Sequence, residues 1–167
     1  MSLTKTKNLF SEELLEKLHA RTREGQQPTT TNFFGWGAKV IGSSNAIFAF
    51  EITDELKQRV AEELINKNIF KQVPKIWTVN IYLMSRHSFI PWHDDDAHKF
   101  TCTVWLNKQW PLDLGGYFVY KEGGEIKALA PEYNTGVYFA PPIEHACTLT
   151  ALNAPLRESL QIFVYEE

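Results

Sequence analysis

Five side chains that can bind a metal ion or carry a proton fall within the short segment "PWHDDDAHKF" at residues 91–100. They are His93, Asp94, Asp95, Asp96 and His98. On an extended backbone His93 and Asp95 point to one side, while Asp94 and Asp96 point to the other. His93 and Asp95 can therefore reach one metal ion together, and the other two aspartates only if the chain bends. A lone His-x-Asp motif is a weak indication of a metal site.

A second histidine strengthens that indication. His145 stands at the start of a later candidate strand, directly after the turn "APPIE". Two histidines and one carboxylate form the facial triad of non-haem Fe(II) sites, which leaves coordination positions open. A structural zinc site is instead closed by four protein ligands, for which His98 and Cys147 are the remaining candidates. His93, Asp95 and His145 together favour an open Fe(II) site.

An arginine extends the pattern. Arg157 follows His145 by twelve residues, at the start of the last candidate strand. Arginine can hold a carboxylate through two parallel hydrogen bonds, although taken alone an exposed arginine at a strand edge is the commoner case. Beside an iron site it predicts a cosubstrate that chelates metal at one end and presents a carboxylate at the other. 2-Oxoglutarate has both ends.

The composition is typical of one globular domain. The 167 residues are 44% hydrophobic and 22% charged, and the net charge of −3 makes nucleic acid an unlikely partner. Two cysteines, Cys102 and Cys147, form neither a disulfide scaffold nor a zinc-finger pattern. The start "MSLTKTKNLF" lacks the apolar run of a signal peptide, and no segment is long enough to span a membrane. We expect a cytoplasmic protein with no membrane partner.

Two helices are predicted in the first 75 residues. Ser11 caps the first, whose apolar stripe includes Leu14 and Leu18, and Gly25 follows its end. The second begins near Thr53 and runs to about residues 66–68. The strands "KVI" and "AIFAFEI" are predicted between the two helices.

Short strands dominate after Pro74, separated by Gly, Pro, Asn and Asp. The candidates are 76–84, 101–106, 116–120, 125–129, 136–140, 145–152 and 158–165. This pattern is typical of a sandwich or barrel. We therefore predict a mainly β (α+β) fold in a single domain, 1–167. Its core at 76–167 is a double-stranded β-helix (jelly roll), buttressed by the helices and first strands in 1–75.

Alternation within two of these strands predicts a polar interior. Tyr82 lies on the polar face of its strand, and Arg157, Ser159 and Gln161 share one face of the last strand. The polar face of one strand alone is usually the solvated side of a sheet. Two such faces, one of which carries an arginine, are the pattern expected of a polar pocket inside the roll.

Taken together, residues from about 76 to 167 resemble the prolyl 4-hydroxylase branch of the Fe(II)/2-oxoglutarate-dependent dioxygenases. The resemblance rests on six elements in the family's order: Tyr82, "HDD" at 93–95, "TCTVWLNKQW" at 101–110, "LGGYFVY" at 114–120, His145 and "RES" at 157–159. The chain departs from the family at Trp105, where many members have tyrosine, and at Arg157, where many have lysine. Trp can donate a hydrogen bond but not accept one.

The resemblance implies roles for particular residues. Fe(II) is bound by His93, Asp95 and His145, through which the site is catalytic. Arg157 holds the distal carboxylate of 2-oxoglutarate, Tyr82 donates a hydrogen bond to this cosubstrate, and Ser159 supports its pocket together with Gln161. The resemblance also implies molecular oxygen as a substrate, ascorbate as a reductant, and a peptide or protein as the partner to be hydroxylated.

Three functions stay open on the sequence alone. The first is a prolyl 4-hydroxylase-like enzyme that acts on a peptidyl or protein residue. The second is a related oxygenase that acts on a free amino acid, a small metabolite or an alkylated nucleobase. The third is a non-catalytic jelly-roll module with a structural metal, for which a carboxylate clamp at Arg157 has no use. The segment "NFFGWG" at 32–37 is compatible with a substrate-facing loop or with core packing.

Overall fold

The computed structural model describes residues 2–25, 32–33 and 47–166. The predicted strand "KVI" and residues 34–37 of the aromatic and glycine-rich segment lie outside these ranges. Residues 32–33 form a two-residue strand. No helix in the described part of the chain is long and apolar enough to cross a membrane.

Two helices begin where the capping residues predict. They are α1 (Glu12–Gly25) and α2 (Asp54–Asn66). The Ser11 hydroxyl accepts a hydrogen bond from the Leu14 amide at 3.3 Å, and the Thr53 hydroxyl accepts one from the Leu56 amide at 3.3 Å. Both contacts satisfy amides that the first turn of a helix leaves without a backbone partner. The predicted ends of α1 and α2 are correct to within one or two residues.

Strands make up most of the rest of the described chain. They are β1 (Thr4–Lys7), β2 (Asn32–Phe33), β3 (Ile47–Glu51), β4 (Trp77–Met84), β5 (Ile90–His93), β6 (His98–Trp105), β7 (Phe118–Glu122), β8 (Glu125–Leu129), β9 (Thr135–Phe139), β10 (His145–Cys147) and β11 (Arg157–Tyr165). They form two antiparallel sheets, ordered β1-β9-β6-β11-β4-β3-β2 and β5-β10-β7-β8. The predicted mainly β fold of two facing sheets is confirmed.

Several strands differ from the prediction. β10 ends at Cys147 instead of continuing to Leu152, because the Tyr117 amide donates to the Thr148 hydroxyl instead of a backbone carbonyl, and beyond this point only an isolated bridge joins Thr150 to Gly115. β6 begins at His98, three residues before its predicted start, and β7 is shifted by two residues. β1, β2 and β5 were not predicted. β1 has the sequence "TKTK" and pairs with β9 along its length, so it has no apolar alternation that would reveal it.

The largest buried cluster joins the helices to the outer face of the seven-stranded sheet. Its members include Leu14, Leu15 and Leu18 from α1, Leu56, Val60 and Leu64 from α2, and Val79, Ile81, Val104, Leu160 and Ile162 from the strands. Because side chains alternate along a strand, burying these residues turns their neighbours on β4, β6 and β11 toward the other sheet. Tyr82, Thr103 and Gln161 face the space between the sheets for that reason.

Candidate metal centre and cosubstrate pocket

Three predicted ligands meet at one end of the space between the sheets. His93 Nε2 lies 3.6 Å from one carboxylate oxygen of Asp95, and His145 Nε2 lies 3.6 Å from the other. One ligand atom from each residue falls within 4.8 Å of the other two. Distances of this size suit three ligands around one ion. This is the only such cluster of three or more ligating side chains among the residues described.

His93 and Asp95 converge by a different route from the predicted extended backbone. His93 is the last residue of β5 and pairs directly with His145 of β10. Asp95 lies in the turn that follows, with a left-handed backbone (φ 56°), and its carbonyl accepts a hydrogen bond from the His98 amide at 2.9 Å. Aspartate tolerates this conformation better than most residues. A bend, rather than strand alternation, therefore brings the carboxylate to the histidines.

Both histidines are oriented by a hydrogen bond at Nδ1, with Nε2 on the side of the cluster. His93 Nδ1 lies 2.7 Å from the carbonyl of Pro91, and His145 Nδ1 lies 2.8 Å from the carbonyl of Ile143. Each Nδ1 is therefore the protonated nitrogen, which leaves Nε2 with a lone pair facing the cluster. Burial, reinforced by the neighbouring His93, lowers the pKa of His145 to about 4. His145 is thus a neutral imidazole near pH 7, as metal ligation requires.

Of the three neighbouring carboxylates only Asp95 belongs to the cluster, and no fourth ligand joins it among the described residues. The Thr101 hydroxyl donates to Asp95 Oδ2 at 3.2 Å. Asp94 Oδ1 instead accepts a hydrogen bond from the backbone amide of Asp96, and neither Asp94 nor Asp96 belongs to the ligand cluster. His98 Nδ1 lies 3.1 Å from the Asp95 carbonyl, while Cys147 donates to the Gly116 carbonyl. A three-ligand site of this kind keeps positions open, unlike a closed structural zinc site.

Arg157 is buried and lines the same pocket as the triad. Only 3% of the residue is exposed, and its Nε has no hydrogen-bond partner among the described residues. A buried donor without a hydrogen-bond partner is costly. The arrangement suits an anion that reaches from the metal ligands to the guanidinium group.

Tyr82 lines this pocket as a hydrogen-bond donor. Burial and the nearby carboxylate of Asp95 raise the pKa of its phenol to about 12. The hydroxyl group therefore keeps its proton at any physiological pH. A neutral phenol can donate to a bound carboxylate, which agrees with the role that the family resemblance implies for Tyr82.

Ser159 lies behind the pocket rather than on its surface. It is buried, is not a lining residue, and accepts a hydrogen bond from Gln161 Nε2 at 3.0 Å. Gln161 Oε1 in turn accepts a hydrogen bond from the Thr103 hydroxyl at 2.7 Å. Gln161 and Thr103 line the pocket, so Ser159 orients a lining side chain and does not itself face the cosubstrate space.

Thr101 and Thr103 were not singled out from the sequence, although a signal was present. They alternate with Cys102 and Val104 on β6, and these two face the helices. Period-two alternation places both threonines on the inner face with Trp105. Trp105 packs with Phe118 in a separate apolar cluster, and its Nε1 has no hydrogen-bond partner in the described chain.

Asn107 fixes the backbone on both sides of Arg157. Its Nδ2 donates to the carbonyl of Leu156 at 2.9 Å, and its Oδ1 accepts from the amide of Glu158 at 2.7 Å. Both groups would lose their partner in Asn107→Ala. We expect the substitution to lower the free energy of unfolding by about 1–3 kcal/mol, measured by urea denaturation.

The control for that experiment is Asn66→Ala at the exposed end of α2. Surface substitutions of this kind change stability by about 0.5 kcal/mol or less. Equal losses for the two variants would contradict the bridging role of Asn107.

The fold is similar to that of several solved structures, although the sequence resembles known proteins only weakly. The sequence matches no protein-family model, and no curated protein sequence matches it. A Pseudomonas putida prolyl-4-hydroxylase is similar in structure, with a TM-score of 0.78 and 16% identity over 99% of this chain and 92% of that one. A Trichoplax adhaerens prolyl hydroxylase, solved with a hypoxia inducible factor peptide fragment, has a TM-score of 0.80 and 11% identity over 98% and 83%.

A third similar structure is a viral collagen prolyl hydroxylase from Paramecium bursaria Chlorella virus-1, in a complex with 2-oxoglutarate. Its TM-score is 0.65, with 13% identity over 98% of this chain and 95% of that one. At identities this low the likeness shows the fold. The chain has the double-stranded β-helix of the prolyl 4-hydroxylases and related 2-oxoglutarate-Fe(II) oxygenases, so the predicted resemblance is confirmed at the level of fold.

Proposed function

We propose that this protein is an Fe(II)- and 2-oxoglutarate-dependent hydroxylase, similar to prolyl 4-hydroxylases, that acts on a peptidyl or protein residue. The observation that carries the proposal is one pocket with an open His93, Asp95 and His145 cluster and a buried, unpaired Arg157 Nε. A non-catalytic metal module explains the cluster but not the buried guanidinium group. The fold shared with a peptide-bound prolyl hydroxylase supports a peptide substrate.

The donor set fits ferrous iron. Imidazole nitrogens and one carboxylate in a three-ligand arrangement with open positions are the pattern of non-haem Fe(II) oxygenases. Bound there, iron would supply the oxidising chemistry that inserts one oxygen atom from O₂ into a C–H bond while 2-oxoglutarate is converted to succinate and carbon dioxide. We include ascorbate in the proposal as the reductant that keeps the iron ferrous.

The residues of the chain bind and orient the reactants. Thr101 holds the Asp95 carboxylate, and the carbonyls of Pro91 and Ile143 hold the two imidazole rings. Arg157 pairs with the distal carboxylate of 2-oxoglutarate, and Tyr82 donates a hydrogen bond to the cosubstrate. Apolar side chains, among them Ile90, Phe118 and Phe163, line the same pocket and limit the entry of water. The bound iron would supply the oxidation chemistry, so no separate acid–base residue is needed.

A test of this function uses purified protein with Fe(II), 2-oxoglutarate, ascorbate and isotopically labelled O₂. A library of proline-containing peptides is incubated and analysed by mass spectrometry, and succinate is assayed in parallel. We expect substrate-dependent succinate and the gain of one labelled oxygen atom on a peptide.

Free proline and other amino acids form a second arm of the same experiment. Labelled oxygen on a free amino acid but on no peptide would move the substrate class to small molecules. The absence of succinate with every peptide and amino acid would contradict the proposed hydroxylase and favour the binding module.

A further inference from the structure

Gly116 lies against the side chain of Arg157. It follows Gly115 in the loop before β7, and its backbone is left-handed (φ 68°). A methyl group built on Gly116 would lie 3.0 Å from Arg157 Cδ and 3.3 Å from Arg157 Nε. It would also lie 3.1 Å from the methyl group of Thr150. Arg157 Nε, one of the atoms that the added methyl group would approach, is the buried donor that lacks a hydrogen-bond partner in the described chain.

The backbone around Gly116 is anchored and cannot easily yield to such a group. The Gly116 amide donates to the Leu149 carbonyl at 3.2 Å, and the Gly116 carbonyl accepts from Cys147 Sγ at 3.4 Å. The preceding carbonyl, of Gly115, accepts from Trp110 Nε1 at 2.9 Å. Because these three hydrogen bonds fix the backbone of the loop, a side chain at Gly116 would displace the Arg157 side chain or the Thr150 methyl group.

We infer that Gly116 is a positioning residue for Arg157, since the missing side chain is what lets the Arg157 side chain pack against this loop at Cδ and Nε while it lines the pocket. This inference rests on the proposed function, because it takes the distal carboxylate of 2-oxoglutarate to be the anion that Arg157 binds. It assigns to one glycine of the "GG" pair a role in binding the cosubstrate, beyond the turn that a positive φ requires.

The test compares Gly116→Ala with Gly123→Ala. Gly123 has nearly the same backbone (φ 63°) in the β7–β8 turn, but an added methyl there meets nothing within 4 Å. Both variants place a side chain at a positive φ, and only the one at Gly116 brings it against Arg157. Binding of 2-oxoglutarate to Mn(II)-loaded protein is measured by calorimetry without oxygen, along with the affinity for Mn(II) itself.

We expect Gly116→Ala to weaken 2-oxoglutarate binding by about tenfold or more, because shifts of about 1 Å in a positioned group cost up to about 100-fold. Affinity for Mn(II) should be unchanged in both variants, and Gly123→Ala should bind 2-oxoglutarate like the wild type. Pyruvate has the 2-oxo acid end without a distal carboxylate. Its affinity should be equal in the wild type and Gly116→Ala, which a general loosening of the fold would not produce.

Gly116→Asn and Gly123→Asn are a second matched pair, because asparagine tolerates a left-handed backbone better than alanine.

Wild-type binding of 2-oxoglutarate by Gly116→Ala, or an equal loss of pyruvate affinity, would overturn the inference. Loss of folding or of Mn(II) binding in both Gly116 variants but in neither Gly123 variant would assign Gly116 to the fold and also overturn it. If the wild type itself binds 2-oxoglutarate no better than pyruvate, the proposed function fails first, and the two failures are thereby distinguished.

Discussion

Asp95→Ala is expected to abolish turnover and to weaken Fe(II) or Mn(II) binding by more than about 100-fold. Removal of a mere outer partner of a ligand typically costs about 10–100-fold in metal affinity, and Asp95 supplies the only carboxylate of the described ligand cluster. Its two oxygens lie 3.6 Å from the two histidine Nε2 atoms, so its loss leaves the two imidazoles without the negative charge that balances a divalent cation. Calorimetric titration with Mn(II), together with succinate release, measures both effects.

Asp96→Ala is the matched control for that experiment. Asp96 is the next carboxylate along the chain, is exposed and does not belong to the cluster. Its substitution should change the affinity for Mn(II) by less than about twofold, which corresponds to the few tenths of a kcal/mol typical of a surface change. A large loss of metal in Asp96→Ala, or wild-type metal binding by Asp95→Ala, would show that another carboxylate is the ligand.

The three ligands predicted from the sequence lie close together in the structure, but they meet by a route that the sequence does not predict. The prediction of Asp95 over Asp94 and Asp96 depended on strand alternation, whereas β5 ends at His93 and Asp95 adopts a left-handed turn. That turn is stabilised by contacts of Asp95 with His98 and Thr101. These are tertiary and turn interactions, which period-two reasoning does not contain. Alternation therefore selects Asp95 through a local geometry that the structure does not have.

Strands with strong apolar alternation were predictable, and strands whose pairing is set by distant residues were not. β4 and β11 lie within one residue of their predicted bounds, because Val79, Ile81 and Leu160 alternate with polar neighbours. β10 is shorter than predicted, since the Tyr117 amide donates to the Thr148 hydroxyl instead of a backbone carbonyl and interrupts the ladder there. Propensity describes how a segment fits a sheet but not where its partner strand ends.

The residues around Arg157 were also predictable only in part. The sequence points to Arg157 through its position after His145, but not to the packing of its side chain against Gly116 or to the hydrogen bonds of Asn107 with the backbone on either side of it. Ser159 shares a strand face with Arg157, as alternation predicts, but it accepts a hydrogen bond from Gln161 and is not among the residues that line the pocket. A shared strand face therefore does not specify which of its side chains line a cavity.

Arg157→Ala is expected to weaken 2-oxoglutarate binding by about two to three orders of magnitude and to leave the metal in place. Removing one partner of a buried ion pair costs about 3–5 kcal/mol, because the remaining charge is stranded, and each 1.4 kcal/mol is about tenfold in affinity. Arg157 lies on β11, away from the three ligands on β5, the following turn and β10, so Mn(II) affinity should not change. Succinate formation is measured against 2-oxoglutarate concentration, and metal content is measured separately.

Arg157→Lys and Arg59→Ala complete that series and decide what the arginine does. Lysine keeps the positive charge but loses the two parallel hydrogen bonds of guanidinium, so its loss of affinity should be smaller than that of alanine. Arg59 pairs with Glu13 at 3.3 Å on the surface of the helices, and its removal should leave the concentration dependence unchanged. Ligand binding stabilises a folded protein by RT ln(1 + [L]/Kd). 2-Oxoglutarate should therefore raise the melting temperature of the wild type and Arg59→Ala but not of Arg157→Ala. Loss of the cationic partner of a bound carboxylate must weaken binding. Normal turnover of Arg157→Ala at low 2-oxoglutarate would therefore show that the buried guanidinium does not hold the cosubstrate.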